Sequence, residues 1–201
     1  MKIFCVGLNY KEHIEEMKHF AFPDNPVIFM KPPTALLKDN QPFYYPEFSK
    51  DVHYEGEIVL RVCKNGKKIQ EKFAHKYYDS FTLGFDFTAR DIQAEHKKKG
   101  WPWEIAKGFD SSACIGSFFE LNKEHDIEFI IKKNNKIVQE GNTQMLLFSF
   151  DKIVSYISQF FTLQQGDLIY TGTPKGVGSI KVGDILEGYI CEQKILHCEI
   201  K

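Results

Sequence analysis

The stretch DVHYEGEIVL, from Asp51 to Leu60, alternates as a β-strand does and carries Glu55 and Glu57 two positions apart. Successive strand side chains point to opposite faces, so the two carboxylates share a side, roughly 6.6–6.8 Å apart along the strand. This limits what the chain can fold into, because a strand cannot bury two neighbouring negative charges unless something positive lies between them. If both meet water, the pair needs no explanation, and exposed glutamate is the common case. If both face inward, they can converge on one cation, whose oxygen ligands sit about 2.0–2.6 Å away.

The rest of the chain supplies a core for such a strand. With 201 residues, 43% of them hydrophobic, it fits one domain able to bury a substantial interior. A formal net charge of −1 offers no broad basic field for nucleic acid, and the run Lys97-Lys98-Lys99 reads as a solvated helix face. Five cysteines (Cys5, Cys63, Cys114, Cys191, Cys198) are odd in number and lack CxxC spacing, so neither a disulfide framework nor a thiolate zinc site is expected. No apolar run has the length of a signal peptide or a membrane span. A reduced, cytoplasmic protein with no membrane partner is the expectation.

Three textures follow one another. Met1 to about Leu8 reads as a short strand, and NYKEHIEEMKHF then places Tyr10, Ile14 and Met17 at helical spacing, up to Pro23. From PVIFMKPPTALL to CIGSFFEL come short runs of Val, Ile, Phe and Tyr broken by Pro and Gly. KNGKK (Lys64 to Lys68) and KKNNKI (Lys132 to Ile137) read as hairpin turns, since Asn and Gly tolerate positive φ. Two helices interrupt the β material. In TARDIQAEHKKKG, Thr88 can cap the start, Asp91 suits the first turn and Gly100 can close the end. In SFDKIVSYISQFF, the stripe Ile153, Val154, Ile157, Phe160 and Phe161 reads as core. The sum is a single mostly-β domain with a few helices, an α+β chain.

A third acid sharpens the opening question. Asp86 ends the apolar run SFTLGFD, where strand gives way to helix. A carboxylate there is costly as an isolated buried charge, and strand ends commonly display functional groups. Three carboxylates without a His or Cys ligand pattern favour a hard cation, Mg²⁺ or Mn²⁺, over zinc.

HYEGEI, GFDFTARDIQ and LIYTGTPKGVG, in this order, together with VGLNYKEHIEEM, FMKPPTA and EHKKKGWPWEIAKGFD, resemble the fumarylacetoacetate hydrolase family. The likeness runs over nearly the whole chain and is closest to the short acylpyruvate hydrolase and oxaloacetate decarboxylase type. It implies a mixed β-sandwich roll of the family's C-terminal-domain type, spanning residues 1–201 as one catalytic domain, and a homodimer. It also implies roles for particular residues. Glu55, Glu57 and Asp86 would hold Mg²⁺ or Mn²⁺, and Lys107 would lie beside the ion and contact substrate. Arg90 and Gln93 would bind substrate oxygens, and Thr173 would meet the substrate carboxylate. His13 and Glu16 would form a catalytic pair on a mobile lid helix over residues 9–22.

The implied activity is metal-dependent cleavage of a C–C bond in a small 2-oxo acid such as acetylpyruvate or fumarylpyruvate, with oxaloacetate decarboxylation as a second activity. Two alternatives remain beside it: an isomerase or decarboxylase of the 2-hydroxyhepta-2,4-diene-1,7-dioate type, and a non-catalytic dicarboxylate-binding protein. Duller readings stand next to several residues. Arg90 can pair with Asp91 or Glu95 on its own helix. TGTPKGVG lacks the G-x-x-x-x-G-K-[ST] order of a phosphate loop and reads as a turn whose backbone approaches a small carboxylate. His53 and His75 have no partner at metal spacing.

Overall fold

Most of the Val-, Ile- and Phe-rich runs pair with segments distant in sequence, and these pairings build three sheets. The computed structural model of the chain describes residues 1–16, 22–121 and 126–201. In the largest sheet, seven strands run in the order Ile28–Lys31, Ile3–Val6, Leu168–Tyr170, Gly56–Val62, Tyr78–Asp86, Ala113–Ile115, Leu36–Leu37. An eighth, Phe119–Glu120, pairs with the start of Tyr78–Asp86. The sheet is mixed: Ile3–Val6 runs parallel to Leu168–Tyr170, and Leu36–Leu37 parallel to Ala113–Ile115, while the other pairs are antiparallel. A second sheet has the order Lys136–Asn142, Glu128–Lys133, Ile185–Ile190, Gln193–Glu199. A small third sheet joins Gly178–Ser179, Val52–Tyr54 and Thr88–Ala89.

The strand Gly56–Val62 explains where the core lies. Its even positions Ile58, Leu60 and Val62 join a large cluster with Leu83, Phe129, Ile131, Leu186 and Leu196, drawn from the two larger sheets. Each such side chain, fully buried, contributes roughly 1.5–3 kcal/mol. Val59, on the opposite face, joins a smaller cluster with Ile3, Cys5, Ala113, Leu168 and Tyr170. Both faces are therefore covered, and the odd-numbered Glu55 and Glu57 are turned into protein rather than water. The approach of the second sheet leaves no room for a side chain between them: a Cβ on Gly56 would lie 2.5 Å from Ile131 Cγ1. The sandwich of mostly β architecture, with five α-helices among the described residues, matches the expected fold class.

Local signals hold where the cause is local. Asn134 and Asn135 take φ of 51° and 65° in the hairpin between Glu128–Lys133 and Lys136–Asn142. The helix Phe150–Phe160 is capped by Ser149, whose hydroxyl accepts from Lys152 N, and Arg90–Lys99 ends at a left-handed Gly100.

Four details differ from expectation. Lys64 to Lys68 is no tight hairpin: Gly66 bridges to Leu163, and a short helix, Glu71–Ala74, intervenes before the partner strand. Thr88 lies in a strand and caps nothing, because pairing with His53 competes for its backbone; the helix starts after Ala89. Phe160 is 58% and Phe161 39% exposed, so the buried stripe of the last helix ends at Ile157 and Ser158. The N-terminal helix covers Lys11–Glu16, and Tyr10 instead bridges to Leu146. The remainder of the expected 9–22 helix, including Met17, falls on residues 17–21, outside the described residues, and Phe22 is not helical.

Candidate metal centre and active site

Strand register brings the three acids together. Gly56 pairs with Phe85 and Glu57 with Gly84, so Glu55 falls opposite Asp86, whose amide donates to Glu55 O at 2.9 Å. Glu55 itself sits at the break between Val52–Tyr54 and Gly56–Val62, where the chain passes from the small sheet to the large one. Glu55, Glu57 and Asp86 each offer a carboxylate oxygen, all within 4.8 Å of one another. Their exposures are 6%, 1% and 1%, which settles the opening question in favour of the inward-facing pair.

Among the described residues, three cations surround them. Lys107, at the end of the short helix Glu104–Lys107, places Nζ 2.6 Å from Glu55 Oε2 and 2.9 Å from Asp86 Oδ2. Arg90 Nη2 lies 2.6 Å from Glu55 Oε1, and its Nη1 donates to Gln93 Oε1 at 2.8 Å. Arg90 thus spans to the acid cluster instead of pairing with Asp91 or Glu95. Asp91 accepts from Ser49 Oγ and the Lys50 amide, and Glu95 pairs with Lys99. The third cation is Lys31, buried to 1% exposure. Its ammonium donates to Phe87 O, Lys107 O, Ser112 O and Ser112 Oγ. It also lies 2.7 Å from Asp86 Oδ1, close enough for Coulomb attraction though outside hydrogen-bond geometry, so that oxygen is left without a hydrogen bond.

The charges are unevenly shared. Burial opposes ionisation of Glu55, but Lys107, Arg90 and His13 outweigh it and hold its carboxyl well below the usual carboxylate range. Burial pushes the Glu57 carboxyl well up, and Asp86 and Glu55 push it further; the Gly172 amide, donating at 2.7 Å, offsets only part. Burial would lower Lys107, yet Asp86 and Glu55 carry its ammonium above the ordinary lysine value. A buried acid repelled by two others, and an Asp86 oxygen lacking a hydrogen bond, are what a divalent cation would relieve. The donor set is all oxygen, which fits Mg²⁺ or Mn²⁺.

A second group of residues forms the rim. His13 is buried, and its Nδ1 lies 3.4 Å from Glu16 Oε2. Burial lowers the His13 pKa, and the charges of Glu55 and Glu16 restore only part. The segment is tied down by Asn9, whose amide donates to Thr171 O and Phe148 O and accepts from the Phe148 amide. The turn after Leu168–Tyr170 does approach carboxylates with its backbone, but they are the protein's own: Gly172 meets Glu57, and the Gly176 amide lies 3.4 Å from Glu16. Gly172 has φ of 104°, and a Cβ there would lie 2.7 Å from Asn9 Cβ. Thr173 is buried next to it, its hydroxyl accepting from Gln139 Nε2 at 2.8 Å. His13, Glu55, Arg90, Gln93 and Lys107 together line a cavity of ≈ 20 Å³, room for about one water. A larger concavity of ≈ 450 Å³ elsewhere, at Phe129 and Tyr189, is lined by no basic side chain, so size alone does not mark the site.

Sequence reasoning missed Lys31, Gln139, Asn9 and Lys97. Lys31 left a readable trace, a charge closing the apolar run IFMK, and the argument that a lone buried charge is costly applies to it as to Asp86. Gln139, which accepts from Gly56 N while donating to Thr173, left none. The run Lys97–Lys99 is not a uniform solvated face: Lys98 and Lys99 are exposed, whereas Lys97 is half-buried and lines the cavity. His53 pairs with Asp51 at 3.0 Å, outside the acid cluster.

Residues 2–200 match the family described as Fumarylacetoacetate (FAA) hydrolase C-terminal. The mitochondrial oxaloacetate tautomerase FAHD1 of Mus musculus is 42% identical over 191 residues, 94% of this chain and 86% of that protein. Its Homo sapiens counterpart is 40% identical over the same shares. Among solved structures, fumarylpyruvate hydrolase from Pseudomonas aeruginosa, in complex with Mn²⁺ and pyruvate, has a TM-score of 0.93 at 32% identity, covering 100% of this chain and 89% of that one. The 2-hydroxyhepta-2,4-diene-1,7-dioate isomerase from Mycobacterium marinum has a TM-score of 0.86 at 33% identity, covering 99% and 73%. Matched over almost its full length in sequence and fold, the chain belongs to the fumarylacetoacetate hydrolase family.

Proposed function

We propose that this chain is a divalent-metal enzyme acting on enolisable 2-oxo acids, with keto–enol tautomerisation of an oxaloacetate-like substrate as its leading activity. The observation that carries this reading is the buried Glu55–Glu57–Asp86 cluster with Lys107 set against it. Names of the relatives support the order of activities. The sequence reading put C–C hydrolysis first, but the curated relatives at 40–42% identity are called oxaloacetate tautomerases.

A Mg²⁺ or Mn²⁺ held by Glu55, Glu57 and Asp86 would supply Lewis acidity toward the substrate's carboxylate and keto oxygens. The chain's own groups do the rest. Lys107 donates to the keto oxygen, where negative charge develops as the enol form is made. Arg90 and Gln93 fix the carboxylate from the cavity wall, and Thr173, next in the chain to Gly172, would meet it with its hydroxyl or backbone. His13, kept neutral by burial, removes a proton from carbon 3, and that proton returns on the keto oxygen. Glu16 orients the imidazole. A base so placed contributes about 10²–10⁴-fold.

A second reading, hydrolysis of acylpyruvates, is favoured by the His13–Glu16 contact and by the fumarylpyruvate hydrolase likeness. Here His13 takes a proton from water, which attacks the distal carbonyl; the carbon–carbon bond breaks, and its electrons pass to the keto oxygen facing Lys107. Decarboxylation of oxaloacetate uses the same electron sink without water. The segment bearing His13 would act as a lid, and a homodimer belongs to the same reading. None of the five cysteines forms a disulfide, and no helix among the described residues is long and apolar enough to cross a membrane.

The test is a panel of enol-oxaloacetate, keto-oxaloacetate and acetylpyruvate, followed by absorbance with Mn²⁺, Mg²⁺ or a chelator. Metal-dependent loss of the enol signal faster than diketone loss supports the proposal. Turnover unaffected by chelation, or none on any substrate, refutes it. His13→Ala then separates the steps: hydrolysis should fall more than decarboxylation.

A further inference from the structure

We propose that Lys97 reads a second carboxylate on the substrate and so selects 2-oxo dicarboxylates over 2-oxo monocarboxylates. The inference deepens the reading of the acid cluster as a 2-oxo acid site and rests on it.

The helix Arg90–Lys99 turns residues 90, 93 and 97 to one side, at i, i+3 and i+7 spacing. All three line the cavity that also contains His13, Glu55 and Lys107. Lys97 therefore extends, from the next turns of the same helix, the wall on which Arg90 and Gln93 stand. Seven residues of helix separate Arg90 from Lys97, roughly 10 Å along the axis, so the two basic groups are suited to opposite ends of a short molecule. The neighbouring Lys98 and Lys99 are exposed, and Lys97 alone of the three is drawn inward.

Two further features distinguish it from a stem lying over apolar surface. Its ammonium stands over the ring of Trp103, 5.3 Å from the centroid, and Trp103 is itself a cavity wall braced edge-on by Phe29. Burial, with repulsion from Arg90, pulls its pKa down to about 8, while Glu55 pulls the other way. An arriving carboxylate would offset the crowding of these cations, as a second carbonyl group on a neutral acyl chain could not.

The experiment measures binding, so that it does not depend on turnover. Mn²⁺-loaded wild type, Lys97→Met and Lys97→Arg are titrated by calorimetry with pyruvate and with 2-oxoglutarate, after thermal melts establish that all three are folded. The expected result is 2-oxoglutarate binding weakened about 10- to 100-fold in Lys97→Met, pyruvate binding unchanged, and recovery in Lys97→Arg. The ratio of kcat/KM for oxaloacetate to that for acetylpyruvate should fall in parallel. If wild type binds pyruvate but gains nothing from the second carboxylate, or Lys97→Met weakens both ligands equally, the assignment of Lys97 is overturned and the 2-oxo acid site stands. If wild type binds neither ligand with Mn²⁺ present, both fail.

Discussion

The acid cluster and the His13 rim are neighbours built to different tolerances. In the cluster, Glu55, Glu57, Asp86, Lys31 and Lys107 are all nearly fully buried, and the ion pairs run from 2.6 to 2.9 Å. Its members come from strand ends and a short helix locked by sheet register. On the rim, His13 reaches Glu16 at 3.4 Å, Glu16 reaches the Gly176 amide at 3.4 Å, and Lys175 pairs with Glu12 in the open. Contacts of that length are weak. The floor is thus fixed by close, buried ion pairs, whereas the rim is held by long ones; under the function proposed above, the rim would tighten around substrate.

The largest test of this contrast is at the floor. Asp86→Asn should weaken Mn²⁺ binding more than about 100-fold, since loss of an outer partner alone costs about 10–100-fold, with turnover falling alike. Calorimetric titration checks it; unaltered affinity would mean that the cluster is no metal site.

Lys31→Met comes next. It leaves Asp86 Oδ1 and three carbonyl oxygens facing no cation, and breaking such a buried pair costs about 3–5 kcal/mol. Denaturant unfolding reads the loss. A stability within experimental error of wild type would show that the floor is not pre-set.

Asn9→Ala loosens the rim alone. Its three partners, Thr171 O, Phe148 O and the Phe148 amide, lose their bonds, for about 1–3 kcal/mol. Turnover should fall while Mn²⁺ affinity holds. Equal losses in both would mean that rim and floor move as one unit.

The smallest effect is a pH shift. Because burial lowers the His13 pKa, folding resists its protonation: stability associated with the neutral ring is present above the ordinary histidine range and lost as pH falls through it. The acid limb of kcat/KM should accordingly lie below the usual histidine value. Glu16 raises the His13 pKa, so Glu16→Gln should move that limb to still lower pH. A move upward would exclude Glu16 as the partner of His13.

The opening pair of glutamates shows how much of this was legible. Period-2 geometry put Glu55 and Glu57 on one face, the cost of buried charge singled out Asp86, and Asn134, Asn135, Ser149 and Gly100 announced turns and caps through local conformational preference. Thr88 misled because its cap was local but its strand partner was not. Family resemblance, more than spacing, pointed to Arg90, Gln93, Lys107 and His13.

Read alone, the order of amino acids supplied an inventory: strands of the right period, three acids at or near strand ends, and basic groups on a helix nearby. Which of these meet was decided by tertiary structure. Lys31 finds acceptors 56, 76 and 81 positions away, and Gln139 finds Gly56 at 83. The physical reason is that a charge on a short strand looks the same in sequence whether it meets water or another segment. Only the covering of both faces of Gly56–Val62 removes the water and makes the long-range partner necessary.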